Sequence, residues 1–222
     1  MENVLKILLI VALFIIIPRW IWGQNTKVKI ALLKYKEGED CDVNPVSLLN
    51  LIRFCNKNLN TGLAKKPAIV EAGSQEIFNY PFVHMAGHGK VVFTPVEVQN
   101  LRDYLLAGGF LHVDDYCGIN EPFRQEMKKV FPDDELTELP WDHPVFNQSY
   151  KFPEGLPKTQ GHGNKHPQAF GIVKEGRLVV LYTAETDLVE KWKDSEIPQG
   201  LDAKQQEALK MGANIISYAF MN

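Results

Sequence analysis

The segment AGGFLHVDDYCG, residues 107–118, decides the fold. Its centre, FLHVDD (110–115), is mostly apolar and predicts a strand buried on both faces, which is typical of parallel sheets. A helix start precedes it, because TPVE (94–97) combines a capping box with proline in the first turn. The glycine pair at 108–109 closes that helix. Helix and strand therefore alternate, which predicts an α/β sheet with helices on both faces.

The same alternation continues on both sides of this segment. The other predicted strands are VKIALLKY (28–35), PAIVEA (67–72) and PFVHMAG (81–87), and residues 169–185 form a hairpin that turns at Glu175-Gly176. The predicted helices begin at Asn44-Pro45, Thr94, Asn120 and Asp202, and residues 133–168 form an irregular region with a short strand near 136–139. We predict a three-layer, doubly wound α/β fold with a mostly parallel sheet, flavodoxin-like in outline, to which the hairpin adds an antiparallel edge.

The N-terminus predicts export. The uncharged run ILLIVALFIII (7–17) is short for spanning ~30 Å of hydrocarbon but suits the apolar region of a secretory signal. Gly23 ahead of Gln24 fits a cleavage site, and the alternative is an uncleaved membrane anchor with Trp20 and Trp22 at the interface. We expect residues 1–23 to be a signal peptide or an N-terminal membrane anchor. Residues 24–222 then form a single α/β domain that is periplasmic, or anchored and facing the periplasm, and that meets the membrane only through this segment.

The amino-acid composition limits which classes of binding partner are expected. The chain has 222 residues, 45% of them hydrophobic, which is enough for a full hydrophobic core. Its net charge is −3. Lysine and arginine are dispersed, so nucleic acid is not an expected partner. Cys55 falls on the apolar side of a predicted helix, whereas Cys41 and Cys117 follow predicted strands, and a disulfide between those two remains open.

Polar residues collect where the predicted strands end. In open α/β sheets the ligand crevice lies beyond the carboxyl ends of the strands, so these residues are the candidates for binding. The predicted ligand-binding residues are Asp42, Gly87, His88, Gly89, Tyr116 and Trp141. The glycines beside His88 permit close backbone approach, and the segment serves either as an anion pocket or as a plain turn.

Four residues are candidates for catalysis: Asp114, Asp115, His88 and His143. Adjacent strand residues point to opposite faces, so one aspartate would face the crevice while the other caps the next segment. Each aspartate either caps a turn or serves as a general base or cation ligand. Asp115 and His143 are the candidate ligands for a divalent metal, the one cofactor that the sequence suggests. His84 and His112 lie inside strands and are predicted to be hydrogen-bonded core histidines.

With these residues in view, the chain resembles a bacterial family catalogued as domain of unknown function 4159. The resemblance rests on residues 78–115, on FPDDELTELPWDHPVF (131–146), on GRLVVLYTAETDL (176–188) with Lys191-Trp192, and on GANIISYA (212–219). It implies a fold similar to class I glutamine amidotransferases, and many members look exported or membrane-tethered. Those enzymes carry a Gly-x-Cys-x-Gly turn after the corresponding strand. Here the turn is VDDYCG (113–118), with Asp115 near the nucleophile position and Cys117 displaced, so amidotransfer is not expected.

Two functions remain open, and whether the chain is an enzyme is undecided. The first is a binding or assembly module of the cell envelope that recognises a peptide, a glycan or an envelope protein. The second is a metal-assisted hydrolase in which Asp114 or Asp115, His88 and His143 converge. Spatial proximity separates them: an Asp115 that caps a helix and a remote His143 would favour the binding module.

Overall fold

A computed structural model describes residues 27–35, 45–88, 90–159, 166–193 and 201–221, without the side chains of residues 88, 116 and 117. The predicted signal or anchor segment (1–23), together with Cys41, Asp42 and Gly89, lies outside the described residues. In the part that is described, no helix combines the length and hydropathy needed to cross a bilayer.

In the described part of the chain, seven strands form one sheet. They are β1 (Ala31–Lys34), β2 (Ala68–Glu71), β3 (Phe82–His88), β4 (Phe110–Cys117), β5 (Thr137–Glu138), β6 (Gln168–Lys174) and β7 (Arg177–Ala184), in the order β2-β1-β3-β4-β7-β6-β5. The five strands from β2 to β7 in this order are parallel, and β6 is antiparallel to both β7 and β5. The prediction of a mostly parallel α/β sheet with an antiparallel hairpin is confirmed. The hairpin is more than an edge, since β7 pairs in parallel with β4 inside the sheet.

Five α-helices connect and cover the described strands. They are α1 (Val46–Asn58), α2 (Pro95–Leu106), α3 (Asn120–Val130), α4 (Leu188–Lys193) and α5 (Ala203–Met221). The predicted capping box opens α2, because Thr94 Oγ1 accepts from Glu97 N and Glu97 Oε2 accepts from Thr94 N at 2.7 Å. Asp202 and Gln205 exchange equivalent bonds of 2.8 Å at the start of α5. The short helix α4 was not predicted.

The helices bury both faces of the sheet. Helices α1, α4 and α5 share one apolar core, and α2 and α3 share the core on the opposite face. Glycine at 212 lets α5 approach closely, since a Cβ there would lie 2.7 Å from both Leu51 and Trp192. Cys55 is fully buried on the α1 side, as predicted, and burial raises the pKa of its thiol to about 12.

Strand β4 extends beyond its predicted end. The sequence placed its last residue at Asp115, whereas pairing with β3 continues to Cys117 after a register shift at Gly87/His88. Asp114 and Asp115 therefore lie inside the strand and not in the turn that follows it. The strand tolerates two carboxylates because each is hydrogen-bonded within the protein, as described below.

Asn214 in α5 fastens the irregular region to the helix layer. Its Oδ1 accepts from Ser149 N at 2.9 Å and from Tyr150 N at 2.8 Å, while its Nδ2 donates to Phe146 O at 2.9 Å and to Tyr150 O at 2.7 Å. The side chain is fully buried and uses its whole hydrogen-bonding capacity on this loop.

Replacing Asn214 should loosen that loop. We expect Asn214→Ala to lower the free energy of unfolding by about 2–4 kcal/mol, because four backbone groups, one of them in a buried hydrogen bond and three in part-buried ones, lose their partner. Chemical denaturation of the full-length chain measures this. Asn58→Ala, which removes one exposed bond to Phe54 O, is the matched control and should stay within about 0.5 kcal/mol of wild type. Equal effects of the two substitutions would contradict the assignment.

Candidate functional site

Gly87 and Tyr35 meet at the carboxyl ends of β3 and β1. A Cβ at position 87 would lie 1.9 Å from the Tyr35 hydroxyl oxygen and 3.1 Å from its Cζ. Only glycine leaves room for this ring, which is 4% exposed. The sequence predicted a close approach at Gly87, but it gave no sign that the approaching group is a side chain from the first strand.

Asp114 connects β4 to β7 and to the start of α4. One carboxylate oxygen accepts from the hydroxyl of Thr183, and the other accepts from Val189 N at 3.0 Å. The side chain is fully buried, and burial raises its pKa to about 7. The hydrogen bonds from Thr183 and Val189 oppose this rise, and the nearby carboxylates of Asp187 and Asp115 add to it.

A buried polar chain continues from Asp114 across the sheet. Thr183 Oγ1 lies 3.1 Å from His112 Nε2, and His112 Nδ1 lies 3.1 Å from His84 Nδ1. Both histidine rings pack against Trp192, with centroids 5.5 Å and 5.9 Å from it. Burial lowers the pKa of His84 to about 3 and that of His112 well below its ordinary value, so both rings are neutral. His84 and His112 are hydrogen-bonded core histidines, as predicted.

The protonation of Asp114 sets the direction of the bonds in this chain. With Asp114 ionised, Thr183 donates to it, His112 Nε2–H donates to Thr183, and His84 Nδ1–H donates to His112. With Asp114 protonated, every one of these bonds can reverse, and the proton then ends on His84 Nε2. That nitrogen is buried and finds no hydrogen-bond partner among the described residues. Both arrangements are consistent with the same heavy-atom positions.

Asp115 serves the opposite face of β4. Its Oδ1 accepts from Gly118 N at 2.8 Å and Ile119 N at 3.1 Å, which stabilises the turn into α3. Its Oδ2 accepts from the hydroxyl of Tyr182 at 2.6 Å. Burial, followed by this bond to Asp115, raises the pKa of Tyr182 above its ordinary value. Of the two interpretations of Asp115, the structure realises the capping role.

His143 lies at the other end of β4. Its Nδ1 accepts from Val145 N at 3.2 Å, and its ring packs 5.5 Å from that of Tyr218. The Tyr218 ring in turn packs against Phe110, the first residue of β4. Asp115 follows Phe110 by five residues, about 16 Å along a strand. The described contacts of His143 thus lie toward the amino end of β4 and those of Asp115 toward its carboxyl end, and none of them joins the two side chains.

The remaining candidates divide into two groups. Trp141 is 65% exposed and lies against Gly155. His88 is the last residue of β3 and Tyr116 the second-last residue of β4, and their side chains, like Gly89 and Asp42, lie outside the described part of the chain. Across the described ranges, no group of three or more His, Cys, Asp and Glu side chains could hold a metal ion.

Sequence comparison assigns the chain to a family. The family described as Domain of unknown function (DUF4159) matches residues 29–220. The chain belongs to this family. No curated protein matches the sequence significantly.

In this DUF4159 member, sequence reasoning missed the groups that complete the carboxylate contacts. Thr183 and Tyr182 look like ordinary strand residues, and Val189 contributes only its backbone N–H. The polar segment TAETD (183–187) was the signal available in the sequence. In the structure, Glu185 and Asp187 of this segment have positive φ angles of 58° and 53°. A pattern of polar residues directly after a buried strand points to such contacts without identifying the partner.

Adding a methyl group at position 87 should displace Tyr35. We expect Gly87→Ala to lower the free energy of unfolding by about 1–3 kcal/mol, since the new Cβ overlaps the hydroxyl oxygen. Combining it with Tyr35→Phe should recover part of this loss, because the oxygen at 1.9 Å is removed. Tyr35→Phe alone is the control in this double-mutant cycle, measured by denaturant unfolding. Strict additivity of the two substitutions would contradict the contact.

Asp114 should make stability fall as pH rises between about 4 and 7. Its pKa in the folded chain, about 7, lies above the ordinary value of 3.8, so its contribution is complete below pH 4 and is lost up to pH 7. The slope is at most about 1.4 kcal/mol per pH unit. Asp114→Asn, which mimics the protonated acid, should remove this slope in denaturant unfolding at pH 4.5, 6 and 8. Asp133→Asn, at an exposed site, should keep it, and an unchanged slope in Asp114→Asn would refute the assignment.

Proposed function

We propose that this chain is an exported α/β domain of the cell envelope that acts as a ligand-binding or assembly module without glutamine amidotransferase activity. The observation that carries the proposal is the set of bonds made by Asp115. Its two oxygens accept three hydrogen bonds from the turn into α3 and from Tyr182. The Asp115 carboxylate therefore has a structural role, and the family description names no reaction.

We also propose that the fold is flavodoxin-like and resembles the glutamine amidotransferase domain. The order β2-β1-β3-β4-β7 of the parallel strands supports this, because it follows the 2-1-3-4-5 order of such doubly wound sheets. Under that correspondence, Asp115 stands near the position where amidotransferases carry their thiol nucleophile. A carboxylate that accepts three hydrogen bonds from the protein is a much weaker nucleophile toward an amide than a thiolate.

The alternative, a metal-assisted hydrolase, receives less support from the geometry. It requires Asp115 and His143 around one cation, whereas the packing of His143 on Tyr218 puts it near the amino end of β4. Asp114 has a pKa suited to general-base chemistry, but it is fully buried and both of its oxygens are engaged. Its role in the fold therefore competes with contact to a substrate.

Export and the class of partner complete the proposal. The hydrophobic N-terminal run supports export to, or anchoring at, the periplasmic face. A peptide, a glycan or another envelope protein is the partner we propose, since the acidic net charge argues against nucleic acid.

Export and the proposed lack of glutamine amidotransferase activity can be tested together. Alkaline phosphatase fused to the C-terminus of the full-length chain should be active in a bacterial host, and deletion of residues 1–23 should abolish that activity. The purified full-length chain should release no ammonia from glutamine above background, and elemental analysis should find no divalent metal at stoichiometric amounts.

Each contrary result has a defined meaning. An inactive phosphatase fusion would contradict export. Ammonia release that survives Cys117→Ala but not Asp115→Ala would contradict the binding module and show that Asp115 acts in a reaction. Stoichiometric metal that is lost in Asp115→Ala and His143→Ala would favour the hydrolase instead.

A further inference from the structure

A cationic groove lies on the helix layer formed by α1 and α5. It has a volume of about 570 Å³, within the range of small-ligand sites. Arg53, Lys57 and Lys210 line it, and within the described part of the chain no carboxylate does. This local charge contrasts with the net charge of −3 of the whole chain. The groove is therefore electrostatically suited to an anion.

Two aromatic rings stand beside these cations. Phe54 and Tyr150 have ring centroids 6.2 Å apart and planes inclined by 47°, and Lys210 Nζ lies 5.8 Å from the centroid of Tyr150. Inclined rings of this kind offer apolar faces to a ligand whose charged groups reach the lysines. A ligand that carries both an apolar face and negative charge fits this combination.

The groove is held in place by the protein before any ligand binds. Tyr150 is fixed through its backbone by Asn214, as described above. Asn50 donates to Trp192 O at 2.9 Å and accepts from Arg53 Nη1 at 3.1 Å, so it links the guanidinium to α4. A preorganised surface loses less entropy on binding than a mobile one.

Amide groups in the lining distinguish between two classes of acidic ligand. Asn58 donates one N–H to Phe54 O and Gln206 donates one N–H to Leu201 O, so in the described contacts each amide keeps its carbonyl oxygen as an acceptor and its second N–H as a donor. A sugar hydroxyl can donate to such an oxygen and accept from such an N–H, whereas an ionised acidic side chain can only accept. None of the described residues that line the groove belongs to a strand, so they offer no strand edge to which a peptide could add.

From these contacts we propose that the α1–α5 groove binds an acidic saccharide, one whose sugar rings carry carboxylate groups. The rings of the saccharide lie against Phe54 and Tyr150, and its carboxylates pair with Lys57 and Lys210. This inference rests on the proposed function, because it names the ligand class and the surface of the binding module.

Calorimetric titration of the full-length chain with trigalacturonate tests the proposal. We expect binding that weakens as salt is raised, since exposed ion pairs are screened. Lys57→Gln, Lys210→Gln and Tyr150→Leu should each raise Kd roughly five- to tenfold, the loss of one charged or apolar contact. Lys65→Gln, at an exposed lysine outside the groove, should leave Kd unchanged. Thermal unfolding of each variant verifies that it is folded.

The comparison ligands decide the remaining outcomes. Galactotriose, the neutral counterpart, should bind much more weakly than trigalacturonate. Equal or tighter binding of hexaglutamate would overturn the saccharide assignment in favour of an acidic peptide. Failure of trigalacturonate to bind the folded wild-type chain, or equal binding by wild type and the groove variants, would also overturn it. An active export fusion with no saccharide binding would leave the proposed function standing with another ligand, whereas an inactive fusion would count against the proposed function itself.

Discussion

Burial of β4 on both faces is the constraint on which the rest of the structure depends. Because helices cover both sides of the sheet, any polar group on this strand must find its partner within the protein. Asp114 meets this demand on the side of α4, and Asp115 meets it on the side of α3. Because side chains alternate along a strand, the two adjacent carboxylates form hydrogen bonds to the helix layers on opposite faces of the sheet.

The burial of Asp114 on the α4 side carries a free-energy cost that the hydrogen bonds of Asp115 do not. Asp114 is fully buried, and the chain through Thr183 and His112 ends at His84 Nε2, which has no partner among the described residues. A chain of neutral groups accommodates one proton by reversing its bonds, so the charge on Asp114 is the only one it must hold. The buried polar chain joins β3, β4, β7 and α4, and as a consequence the contribution of Asp114 to the free energy of unfolding depends on pH.

The sequence predicted the elements better than it predicted their contacts. Periodicity and capping residues located most of the strands and helices, because they depend on neighbours within a few residues. The two added residues of β4 and the helix α4 depend on pairing with β3 and on the bond from Val189 to Asp114. The separation of His143 from Asp115 likewise depends on which end of the sheet the irregular region reaches. Such information lies in the packing and not in local spacing.

The distribution of charge supports our proposal that recognition takes place on the helix layer and not at the carboxyl ends of β3 and β4. Asp114 and Asp115 are engaged by the fold, so a ligand that recruited either would have to break bonds that hold a helix in place. Among the described contacts, the lysines of the α1–α5 groove hold no helix in place: Lys57 is exposed, and Lys210 Nζ lies 5.8 Å from the centroid of the Tyr150 ring. A ligand there gains electrostatic attraction without a structural penalty. An α/β sheet that uses the carboxylates of its central strand for stability would therefore still, under our proposal, bind a ligand through its outer helices.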